Sequence, residues 1–248
     1  NASAAISQMA GEPTKVASDR PIVGLTSFGF ITRGAMQAKA ALEKLGYEVV
    51  PFHANGTGGM ALEDLIQQRI IHGVLDLALH EFADSFYGGY CGDIGPSRLE
   101  SAGKLGLPQV VVPGGLDCIV LEFDSVHSMP PVARGRKIFW YDFRSGVRTN
   151  RDDMKRLAKT ISDKLNCSKG PVKILVPMRG FSEADQEGAP LFEPETNRFF
   201  VDQLRERLSG SIDVLEVDYH INDNEFASLA AETLHSIMTP GRSRKCTA

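Results

Sequence analysis

Short apolar runs rich in β-branched residues recur along the chain, and stretches with the spacing of amphipathic helices separate them. The apolar runs predict six strands, at 21–30, 48–53, 72–79, 109–112, 172–176 and 212–217. The intervening stretches predict helices at 34–45, 60–71, 98–105, 152–165, 196–208 and 223–238.

Strands that alternate with helices and are apolar along their whole length are typical of a parallel sheet buried on both faces. A TIM barrel would need eight strand–helix units, two more than the sequence offers. The predicted fold is therefore α/β, a doubly wound, Rossmann-like and mostly parallel six-stranded sheet with helices on both faces.

Two segments fall outside this alternation. Residues 1–20 begin with small residues and continue as a polar stretch, which predicts a short helix and a linker before the α/β domain over 21–238; the resemblance described below implies that this is the junction helix from a preceding domain. Residues 121–150 carry a Pro-Pro pair, Trp140 and no helical periodicity. Because connections of about thirty residues are uncommon, this segment is predicted as a lid, a dimer contact or a surface excursion. Residues 239–248 are predicted as a disordered tail.

The composition excludes two classes of partner. The 248 residues contain 27 Lys and Arg against 31 Asp and Glu, a net charge of −4, without the basic cluster that nucleic-acid binding needs. No apolar run approaches the roughly 18 residues of a membrane helix. The four cysteines lie far apart without a CxxC pair, which indicates free thiols in a reducing compartment. We therefore expect a cytoplasmic protein that binds neither nucleic acid nor membrane.

Ligands of open parallel sheets bind beyond the carboxyl ends of the strands, so the residues at those ends are the candidates for a binding site. The first strand carries Thr26 there, and a glycine loop follows the second strand and leads into a helix. The amides of such a loop converge on a phosphate or carboxylate at the helix N-terminus, although a plain tight turn has the same composition. The candidate ligand contacts here are Thr26, Asn55, Gly56, Thr57, Gly58 and Gly59.

Arg179 follows the fifth predicted strand. A guanidinium at that position can bind a carboxylate or phosphate through two parallel hydrogen bonds. A surface ion pair with Glu183 or Asp185 is the alternative.

Three further residues at strand ends are candidates for proton transfer. Glu81 is preferred over its neighbour His80, because adjacent strand residues point to opposite faces of a sheet. Asp117 follows a Gly-Gly turn and is either a general base or a helix cap. His220 precedes the last helix, which Asn222 is predicted to cap. We expect Glu81, Asp117 and His220 to be catalytic, whereas the histidines are too scattered along the chain to predict a metal site.

Four segments, FHANGTGGMALEDLI, GVLDLALHEFAD, RLESAGKLGLPQVVVPGGLD and YHINDNEFA, resemble a conserved, uncharacterised family of two-domain ATP-binding proteins from bacteria, fungi and plants. This family includes a plant tobamovirus-resistance protein that inhibits viral replication. The resemblance covers nearly the whole chain and implies that it is the C-terminal half of a longer protein. It also implies that ATP and Mg²⁺ bind through the N-terminal half, which this chain lacks.

The resemblance also implies roles for particular residues. The family's pattern places ligand contacts at Ser182, Asp185 and Asp223, and it includes the positions of Glu81, Asp117, His220 and the glycine loop. The residues around these positions depart from the pattern, which implies a divergent branch with an altered ligand.

Two functions fit these observations, beside a third interpretation in which the domain mainly supplies a dimer interface and one wall of the cleft. In the first, the domain binds a small anionic metabolite in a cleft shared with the N-terminal domain and acts on it by acid–base chemistry. In the second, it is a nucleotide-gated protein-interaction module, as in the viral replication inhibitor. Doubly wound domains of this kind commonly self-associate, so we expect a homodimer.

Overall fold

The computed structural model describes residues 3–4 and 19–239. These residues form nine strands: β1 Ile22–Ser27, β2 Glu48–His53, β3 Gly73–Ala78, β4 Gln109–Gly114, β5 Cys118–Leu121, β6 Ile138–Trp140, β7 Ser145–Arg148, β8 Val172–Pro177 and β9 Asp213–Val217. Six of them make a parallel sheet in the order β2-β1-β3-β4-β8-β9. The predicted α/β fold and its six parallel strands are confirmed. The predicted junction helix and C-terminal tail lie almost wholly outside the described residues.

Helices cover both faces of this sheet. In the described residues they are α1 Thr32–Lys44, α2 Thr57–Gln67, α3 Glu81–Ser85, α4 Ser101–Leu105, α5 Arg151–Leu165, α6 Pro194–Arg205 and α7 Asn224–Met238. Because strand residues alternate between faces, Leu25 and Leu75 pack under α1 and α7, whereas Ile22 and Val74 pack under α2 and α4 on the opposite face. The helices α5 and α6 cover the rest of that opposite face. No helix in the described ranges has the length and apolar character to cross a membrane.

The segment 121–150 folds largely as part of a second, smaller sheet. Strands β5, β7 and β6 pair antiparallel in that order, and a 3₁₀ turn at Pro131–Ala133 connects β5 to β6. The segment lacks helical periodicity, and the structure gives it no α-helix within 121–150, only this 3₁₀ turn. The small sheet places the turn between β6 and β7 near the carboxyl ends of the large sheet's strands, as the contacts below show.

The helix predicted to begin at residue 98 begins instead at Ser101. Leu99 has a φ of 67°, in the left-handed region that interrupts a right-handed helix. Its amide donates to Glu63 Oε1 at 2.6 Å, a contact with α2 that holds this conformation. Arg98 is therefore not a helical surface residue, and its side chain is fully buried.

The predicted cap of the last helix is also wrong. The helix α7 begins at Asn224, so Asp223 occupies the N-cap position. The Asn222 side chain instead accepts from the Gly34 amide at 2.9 Å and donates to the Phe30 carbonyl at 3.0 Å. Asn222 thus ties the last helix to the loop after β1.

Candidate functional site

The chain changes direction across the sheet between β1 and β3. From β1 it moves outward to β2 on one side, and from β3 it continues toward β9 on the other. The loops after β1 and β3 therefore diverge at the position where open α/β sheets bind their ligands. Phe28 follows β1, while His80 and Glu81 follow β3. The rings of Phe28 and His80 stack with centroids 3.8 Å apart. We call Phe28, the loop 55–59 and Glu81 the switch-point site.

Arg98 anchors this site from the interior. Its guanidinium donates to both carboxylate oxygens of Asp76, at 2.6 and 2.8 Å, and to Glu81 Oε1 at 3.0 Å. Thr26, predicted as a ligand contact, is buried in the same network: its hydroxyl donates to Asp76 Oδ1 at 2.7 Å and accepts from the Ala78 amide at 2.9 Å. This network fixes the Glu81 carboxylate at the start of α3.

The glycine loop between β2 and α2 lies directly against Glu81. Gly56 has a φ of 87°, which side chains other than glycine rarely tolerate. A Cβ at Gly58 would lie 1.9 Å from the His53 carbonyl oxygen, and a Cβ at Gly59 would lie 2.3 Å from Glu81 Oε1. The glycines are therefore needed for close packing, and the protein's own carboxylate occupies the inner side of this helix N-terminus.

The outer edge of the loop faces solvent. Asn55 and Thr57 are exposed. Asn55 Oδ1 accepts from the Gly58 amide and from the Thr57 hydroxyl, each at 3.2 Å. The predicted anion-binding loop thus presents polar groups outward, while Glu81 lies beneath it.

Glu81 has the properties of an acid–base group. Burial raises its pKa to about 7 and the negative charge of Asp76 adds to this shift, whereas the positive charge and hydrogen bond of Arg98 and the backbone amide of Gly56 oppose it. Oε1 is bonded to Arg98, but Oε2 finds no hydrogen-bond donor among the described residues. A carboxyl group with a pKa near neutrality can both accept and donate a proton at physiological pH.

His80 lies beside Asp84 and Cys91, and we call these three residues the buried triad. A ring nitrogen of His80, a carboxylate oxygen of Asp84 and the sulfur of Cys91 lie within 4.8 Å of one another. Asp84 accepts from the amide of Val120 at 2.7 Å and from that of Cys91 at 3.0 Å. Within residues 19–239 neither ring nitrogen of His80 has a hydrogen-bond partner.

Burial is the main influence on the charges of the buried triad. It raises the pKa of Asp84 to about 7 and that of Cys91 to about 12. It lowers the pKa of His80 well below the ordinary value, and the nearby His53 and Arg98 lower it further. At neutral pH the imidazole and the thiol are therefore uncharged.

The turn between β6 and β7 brings Arg144, ion-paired with Asp142 at 2.7 Å, close enough to His53 at the end of β2 to influence its charge. The Arg144 guanidinium lies over the rings of Tyr90, Phe143 and Tyr141, at 4.7, 5.0 and 5.3 Å from their centroids. Its side chain is 28% exposed. Burial lowers the pKa of His53 at the end of β2, and the positive charge of Arg144 lowers it further. The long segment between β5 and α5 therefore presents a positively charged group near the end of β2.

A second group of predicted residues meets on the other side of β3, after β4, β8 and β9. Ser182 Oγ donates to Asp117 Oδ2 at 2.7 Å, and the Ser182 carbonyl oxygen lies 2.9 Å from His220 Nε2. His220 Nδ1 accepts from the Asn222 amide at 3.1 Å, so Nε2 carries the proton and donates. The structure thus brings Asp117, Ser182 and His220 together, with both imidazole nitrogens bonded to the chain itself.

Asp185 and Asp223 hold the loops around this group. Asp185 Oδ2 accepts from the Phe181 amide at 3.0 Å and from Asn197 Nδ2 at 2.7 Å. Asp223 Oδ2 accepts from the His220 amide at 2.8 Å. Asp185 therefore has two donors on one oxygen, whereas Asp223, which is partly exposed, has a single amide donor.

Asp117 is fully buried, and the strand β5 follows it directly, so the alternative that it caps a helix is wrong. Burial and the negative charge of Asp185 raise the pKa of Asp117 to about 7, with Arg148 opposing them. Oδ2 accepts from Ser182, whereas Oδ1 meets no donor in the part of the chain that the structure describes.

Arg179 lies at the end of β8 with an exposed side chain. Its amide donates to the Tyr219 carbonyl at 3.0 Å. Its guanidinium forms no ion pair with any described residue, so the predicted alternative of a pair with Glu183 or Asp185 is wrong. Its role as an anion contact remains a prediction.

Sequence reasoning missed five residues near the switch-point site: Arg98, Asp76, Asp84, Cys91 and Arg144. Asp76 carried a signal, because a carboxylate inside the apolar strand GVLDLA rarely lies buried without a partner. Cys91 and Arg144 carried none, since only the folding of long connections brings them to the strand ends.

Comparisons with known proteins agree with the predicted resemblance. The model of the uncharacterised protein family UPF0261, C-terminal domain, matches residues 20–238. A UPF0261 protein of Clostridium tetani is 35% identical over 237 residues, which are 95% of this chain and 58% of that protein. The ToMV resistance protein Tm-1(GCR237) of Solanum lycopersicum is 34% identical over 227 residues, 90% of this chain and 30% of that protein. The chain spans about half the length of the bacterial relatives that it matches.

Two solved structures are distantly similar. Oxidised flavodoxin 2 from Bacillus cereus has a TM-score of 0.27 and 14% identity, covering 88% of this chain and 99% of that one. The Lac repressor bound to ONPG has a TM-score of 0.32 and 10% identity, covering 95% of this chain and 82% of that one. Similarity at this level carries no argument about function.

Proposed function

The chain belongs to the UPF0261 family as its C-terminal domain, and from that premise we propose that it binds a small anionic metabolite, a phosphate or a carboxylate, at its strand ends. The binding residues are those of the switch-point site together with Arg144, and Glu81 exchanges a proton with the bound molecule. The N-terminal domain forms the opposite wall of the cleft.

The observation that carries this proposal is Glu81 Oε2. A buried carboxylate oxygen without a donor is costly, and such groups are usually satisfied by a bound molecule or water. Arg98 fixes the other oxygen, Oε1, at 3.0 Å, so Glu81 is held in one orientation. A hydroxyl or other protonated group of a ligand at the switch point would supply the donor that Oε2 lacks within residues 19–239.

The anionic character of the ligand is inferred from two positively charged features near the end of β2 and the glycine loop. Arg144 is a cation held by three aromatic rings, and its ion-pair partner Asp142 is exposed. The helix dipole gives the N-terminus of α2 a partial positive charge. The loop residues Asn55 and Thr57 beside it are exposed, so a ligand can approach this charge from solvent. A phosphate or carboxylate bound there would complement both groups.

The remaining candidate residues have a supporting place in the proposal. Ser182, Asp185 and Asp223 position the loops after β8 and β9, and Arg179 is an outer anion contact on that side. Asp117 and His220 are second candidates for proton transfer, although both are already bonded to the chain on at least one atom.

The participation of an N-terminal domain rests on the relatives, because this chain spans only about half of the bacterial ones. In the proposal that domain closes the cleft and supplies any ATP and Mg²⁺ site. A cleft shared between domains is a common location for ligand sites.

A thermal-shift screen tests the proposal. The chain, and a longer chain with the N-terminal half, are heated with phosphorylated sugars, short carboxylic acids and Mg-ATP. A ligand at 100 times its Kd adds about 2.7 kcal/mol, which raises the Tm by roughly 5–10 °C at this size. We expect the shift to be lost in R144Q and retained in R205Q, which alters an exposed arginine outside the site.

Proton transfer by Glu81 is tested with the ligand that the screen identifies. E81Q keeps the side chain's size, and we expect it to bind that ligand while turning over none of it. The absence of any shift in both chain lengths, or equal shifts in R144Q and the unaltered protein, would contradict the proposal.

The exposed aromatic surface favours the second candidate, a nucleotide-gated interaction module. Trp140 is 41% exposed, Tyr90 47% and Phe143 55%, on adjoining segments. In this alternative the surface binds a protein partner or a second copy of the chain. Sedimentation of the longer chain with and without Mg-ATP tests it: W140S should abolish association, while L215S, at an exposed leucine of the edge strand β9, should leave it intact.

A further inference from the structure

We propose that the buried triad of His80, Asp84 and Cys91 binds one Zn²⁺ ion. The proposal rests on the arrangement of these three side chains and is independent of the proposed metabolite site. It places a metal ion next to Glu81, since Glu81 and Asp84 lie on the same short helix α3.

The first argument is the set of donor atoms. An imidazole nitrogen, a carboxylate oxygen and a thiolate sulfur are all ligands that zinc accepts, and zinc sites with three protein ligands leave a fourth position for water or substrate. Zinc–ligand bonds of about 2.0–2.3 Å in a tetrahedron separate ligand atoms by roughly 3.3–3.8 Å. The donor atoms of the triad already lie within 4.8 Å of one another, so small side-chain rotations close the site.

The second argument is His80. Its side chain is completely buried, and neither ring nitrogen bonds to any described residue. A buried imidazole needs at least one partner. Phe28 stacks on its ring and fixes its plane, so the orientation of His80 is set by packing while its nitrogens are left for a ligand. A metal ion between His80, Asp84 and Cys91 would satisfy one of them.

The third argument is that the chain brings the other two donors next to each other. The loop after α3 passes so close to Asp84 that a Cβ on Gly89 would lie 2.9 Å from the Asp84 Cβ, and a Cβ on Gly92 would lie 2.8 Å from the Asp84 carbonyl oxygen. This tight passage brings Cys91 to the carboxylate. The amides of Val120 and Cys91 orient that carboxylate, as outer hydrogen bonds orient the ligands of established metal sites.

The donor set also selects the metal. Mg²⁺ and Ca²⁺ prefer oxygen ligands and bind thiolate and imidazole poorly, whereas Zn²⁺ accepts all three donor types. Asp84 and Cys91 as anions neutralise the two positive charges of the ion, so the occupied site carries no net charge. The proton of the Cys91 thiol leaves to solvent as the zinc–sulfur bond forms.

The test uses Zn²⁺ alone. Protein freed of metal with a chelator is titrated with Zn²⁺ against a chromophoric competitor, and bound metal is counted after gel filtration. Co²⁺ is then substituted, because a thiolate ligand gives a charge-transfer band that carboxylate and imidazole do not give. H80F preserves the ring that stacks on Phe28 and removes both nitrogens, and C91S removes the sulfur. H127F and C167S make the same substitutions at exposed positions.

We expect one Zn²⁺ per chain, a cobalt–thiolate band, and an affinity at least roughly 100-fold weaker in H80F and C91S than in H127F and C167S. Circular dichroism of the metal-free variants shows whether each is folded, and either of the two triad variants suffices for the comparison. The proposal is overturned if no zinc is retained, or if folded H80F or C91S binds zinc as tightly as its control. Because no metabolite is present, this outcome is separate from that of the ligand screen.

Discussion

At the scale of residues, Arg98 determines how the carboxylates beneath the glycine loop are held. It is completely buried and bonded to Asp76 and Glu81, with Glu63 at 3.9 Å. A buried cation shared among carboxylates contributes little net stability, but removing it leaves those carboxylates without compensation. The site therefore depends on a residue that no ligand needs to touch.

We expect R98M to reduce the free energy of unfolding by about 3–5 kcal/mol, because Asp76 and Glu81 would remain buried without their cation. Urea denaturation measures this change. The matched control is R205M, at an arginine that is 49% exposed and pairs with Glu216 at 2.9 Å. Its expected cost is at most about 1 kcal/mol, and equal costs in the two variants would contradict the role assigned to Arg98.

A second prediction concerns Asp117 and pH. Its pKa rises from the ordinary 3.8 to about 7 on folding, so between these values the folded state binds a proton that the unfolded state has lost. Folding stability therefore decreases as pH rises through this window, by up to about 1.4 kcal/mol for each pH unit. This loss of stability is absent at pH values below the pKa of Asp117 in the unfolded state and complete at pH values above its pKa in the folded state.

The variant D117N removes this titration and keeps an acceptor for Ser182. Relative to the unaltered protein, it should become progressively more stable between pH 4 and pH 7, as measured by urea unfolding at several pH values. D64N, at an exposed position, controls for the loss of one negative charge. A stability difference between D117N and the unaltered protein that is the same at every pH would refute the prediction.

At the scale of elements, the turn from β2 into α2 is the part of the fold built most closely around the site. Gly58 lies in the first turn of α2, where alanine is ordinarily the better helix former by up to about 1 kcal/mol. Here the space for a side chain is missing, because a Cβ would lie 1.9 Å from the backbone oxygen of His53. The backbone cannot yield as the end of a flexible side chain would, so steric repulsion outweighs helix propensity.

We expect G58A to destabilise the protein by about 1–3 kcal/mol, as overpacking does elsewhere. It should also disturb the loop over Glu81 and weaken any ligand bound there. In G210A, where a Cβ would have no neighbour within 4 Å, the change should stay within about 0.5 kcal/mol. Thermal unfolding of both variants measures these changes in stability. If G58A were as stable as the unaltered protein, the turn would have shifted to make room for the Cβ.

At the scale of the whole molecule, the polar groups form two assemblies at the same end of the sheet. The switch-point site and the buried triad lie around β1, β2 and β3, whereas Asp117, Ser182 and His220 lie around β4, β8 and β9. The second assembly is largely satisfied by its own hydrogen bonds. Among the described residues the second assembly leaves one buried polar atom without a partner, Asp117 Oδ1, whereas the first leaves three, Glu81 Oε2 and both ring nitrogens of His80, which is why the two proposals are placed there.

More of the fold than of the candidate site could be predicted from the sequence. Continuous apolar runs in the sequence predict buried strands, and the six strands of the large sheet lie within a few residues of their predicted positions. The helix predicted from residue 98 failed because the Leu99 backbone is set by Glu63, thirty-six residues earlier. The position of Glu81 at the carboxyl end of the sheet was predictable, but the reason for preferring it to His80 was wrong, because Glu81 begins the helix α3 and does not belong to β3. Its partner Arg98 and the approach of Cys91 to Asp84 were not predictable, because both depend on contacts between distant segments.

The first strand begins, and the last helix ends, at the end of the sheet remote from both proposed sites. The Ile22 amide donates to His72 Nδ1 at 3.1 Å, and the sulfur of Met238 lies 2.6 Å from the position of a Cβ on Gly73. Domains whose ends adjoin in this way tolerate circular permutation. A chain in which a short flexible linker joins residue 238 to residue 21, with new ends opened between the exposed Glu187 and Gly188, should fold and bind Zn²⁺ as the original does. In the unpermuted chain, fluorophores or fusion partners attached near residue 21 or residue 238 would lie away from both proposed sites and would not obstruct ligand binding.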